Sequence, residues 1–121
     1  MVQKVLSGIH DDSLQVAVVW TAALRNDIYQ EAIRSRELVS DPRVRHYWDE
    51  TNALGTLAAP VLGTNMQMAW DVYLAYGKGV KWEGGGAPPN PANWLHQKFS
   101  EDPSRRMDES SLDAMLRDVL K

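Results

Sequence analysis

The sequence predicts an α/β chain, a three-layer α/β/α sandwich around a mixed sheet of about four strands with a C-terminal hairpin and helix. Three observations predict it. Apolar runs rich in β-branched residues alternate with segments of helical periodicity. A Gly-Lys-Gly turn at 77–79 separates two further strand-like stretches. The last residues of the chain carry an amphipathic helical stripe.

The elements follow in order. Val2, Val5, Leu6 and Ile9 fall at helical spacing, and the HDDS run at 10–13 ends that helix. Residues 14–24 form an unbroken apolar run of the kind found in strands covered on both faces. Asp27, with Gln30 three residues on, has the spacing of a helix-capping pair. Ile28, Ala32 and Val39 continue the stripe, and Pro42 disfavours helix at Asp41. Residues 43–49 alternate, with Val44, His46 and Trp48 on one face and Arg43, Arg45 and Tyr47 on the other.

Residues 52–62 read as a short helix, weakened by Gly55 and Pro60. Residues 69–76 read as a strand with Trp70, Val72, Leu74 and Tyr76 on one face, and residues 80–82 as its antiparallel return. Residues 83–93 are Gly/Pro-rich and read as a surface loop. The stretch 94–99 has no clear assignment. Ser110 and Asp113 have capping-box spacing, and Leu112, Met115, Leu116 and Val119 form the stripe of the last helix.

The whole chain, residues 1–121, is expected to form one domain, since 121 residues suffice for a single core. Its formal net charge is −3. Residues 1–60 carry 6 Lys and Arg against 8 Asp and Glu, and residues 61–121 carry 7 against 8. Neither half is basic, which argues against a nucleic-acid partner. No apolar run approaches the length of a membrane helix, and the N-terminus has no signal-peptide core, so the expected location is cytoplasmic, without a membrane partner. Cysteine is absent, which excludes disulfides, thiolate catalysis and Cys-ligated metal.

Three stretches, VVWTAAL at 18–24, DPRVRHYWDETNALG at 41–55 and AWDVYLAYGKGVKW at 69–82, resemble a group of small bacterial thioredoxin-like proteins. PPNPANWLHQ at 88–97 resembles that group's Pro-rich tail. The resemblance implies a thioredoxin-like fold and leaves two registers open. Residues 20–24 stand where the Cys-x-x-Cys loop would lie, or the redox strand would precede residue 1. The chain departs from the family in having no Cys pair and no Pro directly before residues 69–76.

The chemistry-bearing candidates are few. Thr21 follows Trp20 at a strand end, where a nucleophile would need a neighbouring base. His46, Asp49 and Asp71 are the residue types of an acid/base or metal set. Against that, Asp49 suits a helix cap, and Asp71 lies near the opposite strand end if its strand runs parallel. Trp20, Trp48, Trp70, Trp82 and Trp94 each flank an element, as either core or the lining of a cleft, and His96 sits beside the Gly/Pro loop. Arg34, Arg36, Arg43 and Arg45 are interleaved with acids and read as a solvated face.

The expectation is a redox-inactive, thioredoxin-like binding or interaction module that forms a homodimer, with a protein or small molecule as its other partner. No cofactor or metal is expected. Candidate binding residues are Trp20, Thr21, His46, Trp48, Asp49, Trp70, Asp71, Trp94 and His96. The alternative is a small hydrolase or metal-dependent enzyme using His46 and Asp49.

Overall fold

The computed structural model describes residues 1–21, 29–63, 66–84, 86–98 and 101–121. The chain is mixed α/β with helices α1 (Val2–Ser7), α2 (Tyr29–Ser35), α3 (Ala53–Val61) and α4 (Glu109–Val119), and strands β1 (Val16–Thr21), β2 (Val44–Asp49), β3 (Val72–Ala75) and β4 (Asn93–His96). It divides into two compact units, Met1–Ala53 and Leu54–Lys121. One sheet of about four strands was expected. The four described strands instead form two separate sheets of two, β1 with β2 and β3 with β4.

In the first unit β1 and β2 run parallel, joined through α2 and a short 3-10 turn at Arg36–Leu38. Their register pairs Val16 with Val44, Val18 with His46, Trp20 with Trp48 and Thr21 with Asp49. Strand alternation puts Ala17, Val19, Thr21, Arg45, Tyr47 and Asp49 on one face. Contrary to the both-faces expectation for residues 14–24, Ala17 is exposed and the rest of β1 is only half-buried. A two-stranded sheet has too few neighbours to seal such a strand. Ala32 and Val39 are buried, as the helical stripe predicts. The Asp27 cap and residues 22–28 lie outside the described residues.

Helix α1 buries Val5 and Leu6, with Ile9 and Leu14 buried just beyond it. What holds its end is Arg43, which the sequence places on a solvated face. Its guanidinium donates to the carbonyls of Leu6 (2.7 Å), Ile9 (2.6 Å) and Asp11 (3.1 Å). It also pairs with Asp41 through Nε (2.9 Å) and Nη2 (2.8 Å). The last carbonyls of a helix have no partner within it, and a planar five-donor cation can bond the Leu6 carbonyl in the last turn together with those of Ile9 and Asp11 in the segment that follows. Pro42 makes this possible. It occupies the second position of a turn in which the Val44 N–H donates to the Asp41 carbonyl (3.0 Å).

In the second unit α3 is built for close approach. Ala58, Ala59 and Ala69 form a buried cluster with Leu62, Met66 and Val72 packed against it. The Ala69 N–H donates to the Gly55 carbonyl at 2.8 Å, so the returning chain lies directly on the helix. A side chain at Gly55 would run into the Ala69 carbonyl.

The β3 hairpin differs from the expected one. Its antiparallel partner is β4, in register Val72 with His96 and Leu74 with Trp94, rather than residues 80–82. Val80 and Trp82 are exposed, and the Trp82 indole N–H donates to the nearby Gly86 carbonyl (3.0 Å). The loop is pinned further along, where the Tyr76 hydroxyl donates to the Pro89 carbonyl (3.0 Å) and Pro88 is buried. β3 is also shorter than expected. Asp71 has φ of 53°, which breaks the extended backbone and leaves Trp70 outside the strand. Helix α4 packs on β3 and β4 and buries Leu112 and Met115. Its cap is Asp108, which accepts from the Ser111 N–H (2.7 Å), in place of the expected Ser110 and Asp113 pair.

Candidate functional site: the β1–β2 pair

Four of the expected site residues meet at the carboxyl ends of β1 and β2, where ligands gather in open α/β sheets. Trp20 lies beside Trp48, and Thr21 beside Asp49. His46 lies one pair earlier on the half-buried face. The Trp20 indole N–H donates to His46 Nδ1 at 3.1 Å, and the two rings are nearly parallel, 10° apart with centroids at 6.1 Å. Since Nδ1 accepts, Nε2 carries the proton, and it donates to the Val39 carbonyl at 2.9 Å. Both ring nitrogens of His46 are therefore occupied. Asp49 accepts from the Thr51 hydroxyl at 3.4 Å, and its side chain lies on the opposite face of the strand from His46.

The remaining expected residues belong to the second unit. His96 is fully buried and repeats the arrangement of His46. Its Nδ1 accepts the Lys98 N–H (3.0 Å) and its Nε2 donates to the Asp102 carbonyl (2.6 Å). Trp94 is buried beneath the Arg105 guanidinium, whose carbon lies 4.8 Å from the ring centroid. Trp70 is half-buried, with Lys98 Nζ 4.4 Å from its centroid. Both are cation–π contacts. The Asp71 carbonyl accepts the Gln97 N–H (3.0 Å), closing the β3–β4 pair. Burial, then the Asp71 charge, raises the Tyr73 hydroxyl above its ordinary pKa.

A cavity of about 330 Å³ opens at the other end of the first sheet, lined by Asp12, Leu14, Ala17, Pro42, Arg45 and Tyr47 among others. None of the expected site residues lines it. The clue was in the alternation of residues 43–49, whose exposed face carries Arg45 and Tyr47. Arg43 was missed as an organising residue because its partners Leu6, Ile9 and Asp11 are far away in sequence. Beside it the Asp41 carboxyl is held well below the usual range, at about 2, chiefly by hydrogen bonds from the guanidinium.

Among the described residues no group of three His, Asp or Glu side chains converges to hold a metal ion, and no helix is long and apolar enough to cross a membrane. Comparisons with family models, with curated proteins and with solved structures find no match to this chain.

Proposed function

We propose that this chain is a redox-inactive, thioredoxin-like interaction module that self-associates through its β1–β2 sheet. The order of elements supports the thioredoxin-like reading: a β-α-β run followed by a helix, an antiparallel strand pair and a final helix. Thiol–disulfide exchange is ruled out by composition, because no residue can supply a thiolate. The alternative of His–carboxylate chemistry lacks a free base, since both nitrogens of His46 are engaged.

The observation that carries the proposal is the sheet itself. Parallel strands occur almost only in larger sheets covered on both faces. Here, among the described residues, two parallel strands pair with each other alone, and Ala17, Arg45 and Tyr47 stand exposed on one face. A two-stranded sheet gains most from a further partner, and a second copy of the chain is always at hand.

Sedimentation velocity over a dilution series tests this. A concentration-dependent dimer is expected. A strictly monomeric species up to about 1 mM, the bottom of the range of meaningful affinity, would dispose of the reading.

A further inference from the structure

Building on the self-association reading, we propose that the second copy docks on the open face of the β1–β2 sheet in a two-fold register centred on Tyr47. Arg45 of each copy then meets Asp49 of the partner subunit.

The face is defined by alternation. Arg45, Tyr47 and Asp49 follow one another along one side of β2, and Ala17, Val19 and Thr21 lie beside them on β1. Ala17 and Arg45 are exposed, and Tyr47 is 51% exposed. The small Ala17 and half-covered Val19 leave the Tyr47 ring standing above the sheet.

Charge then selects the occupant. Along β2 this face reads cation, aromatic, anion at equal spacing. A two-fold axis perpendicular to β2 reverses the direction of the facing strand, so such an axis through Tyr47 sets each cation against an anion. The pattern is complementary to itself. The Arg45 side chain makes no hydrogen bond or ion pair among the described residues. Asp49 has the Thr51 hydroxyl among its partners, and a carboxylate presents about four acceptor sites, so an incoming guanidinium joins those contacts and does not need a vacant group. Stacked sheets lie about 10 Å apart, a gap that an Arg opposite an Asp can bridge.

The same register lays the partner's Asp49 over the cavity that Arg45 and Tyr47 border. Asp12 on the cavity wall opposes that charge, while Arg43, committed to Asp41, and the free Arg45 favour it. The six-residue strands span only about 20 Å, so the face is small beside the roughly 800 Å² per partner of a standard interface. The resulting dimer belongs to the weak, exchanging class.

The test is charge reversal followed by mixing, read by sedimentation velocity, with circular dichroism to confirm folding. Arg45→Glu sets Glu against Asp49 of the partner subunit, and Asp49→Lys sets Lys against the partner's Arg45. Each variant alone is expected to dimerise at least about tenfold more weakly, a loss of about 1.4 kcal/mol. An equimolar mixture of the two restores one attractive pair at each end and should recover a heterodimer of near wild-type strength. Raising the salt should weaken the wild-type dimer. Tyr47→Asp, at an exposed position, puts two like charges on the axis and should also weaken it.

Val19→Pro separates this face from the strand edge. The Val16 N–H donates to the Arg43 carbonyl, so alternation points the Val19 N–H away from β2. Wild-type dimers that withstand both charge reversals but not Val19→Pro would place the contact at the edge, overturning the face and leaving self-association intact. Folded single variants that lose dimerisation without rescue on mixing would overturn the register. A monomeric wild type would remove the underlying reading as well.

Discussion

Trp20 donates its indole N–H to Nδ1 of His46, from one parallel strand to the next, and so fixes the histidine in its Nε2–H form. A residue that looks from its type like a base or ligand is thereby turned into a bracket. It ties β1 to β2 through one nitrogen and β2 to the Val39 carbonyl through the other.

Trp20→Phe keeps most of the apolar area and removes only that donor. We expect a loss of about 0.5–1.5 kcal/mol in urea denaturation, the net worth of one hydrogen bond at a half-buried site. Nitrogen-15 spectra of the wild type should show the His46 proton on Nε2. A proton found on Nδ1 would contradict the geometry.

Asp41 ties stability to acid. Its carboxyl sits at about 2 in the folded chain, against 3.8 for the free group, chiefly through hydrogen bonds from Arg43. Well above pH 3.8 the carboxylate is ionised in both states and its full contribution is present. As pH falls from there towards about 2, the unfolded chain takes up the proton first and the contribution is lost. Asp41→Asn should therefore melt lower than wild type at neutral pH, and the two melting curves should converge below about pH 2. Melting curves that stay equally far apart throughout would rule out this linkage.

Arg43→Lys keeps the charge and loses the fork. A single ammonium cannot serve the carbonyls of Leu6, Ile9 and Asp11 together with both oxygens of Asp41. We expect a lower melting temperature despite unchanged net charge, and faster amide exchange across α1.

Gly55 and Gly77 should respond to alanine with opposite sign. In an ordinary helix Gly→Ala gains about 1 kcal/mol, but at Gly55 the added carbon meets the Ala69 carbonyl and Met68. Overpacking of that kind costs about 1–3 kcal/mol, so Gly55→Ala should destabilise. Nothing lies within 4 Å of the equivalent carbon at Gly77, where Ala should be neutral or stabilise by up to about 1 kcal/mol. Chemical denaturation of the pair checks both signs.

Elements governed by local patterning were legible in the sequence. The stripes of α1 and α4, the alternation of β2, and the order of helices and strands all follow from spacing within a few residues. β4 was not legible, because residues 80–82 alternate as a strand should while 93–96 set Trp94 and Leu95 side by side, and only the pairing with β3 identifies the second stretch. Trp82 turns to its own loop, while Trp94 and Leu95 are buried. The break at Asp71 depends on a single backbone angle that the residue type permits without requiring. In the site, residue types were readable and their bonding was not. His46 and Asp49 sit close in sequence yet project from opposite sides of one strand, and Arg43 finds its partners across the first unit.

The clasp of Arg43 on the end of α1 has a consequence for how the first unit opens. A helix of six residues does not persist by itself in water. Its Leu6 carbonyl, and those of Ile9 and Asp11 in the turn that follows, are bonded to a side chain at the entry of β2, so neither segment can come apart while the other keeps its native bonds. Residues 2–9 and 41–49 should exchange their amide protons as one cooperative block, although a strand and a helix separate them along the chain.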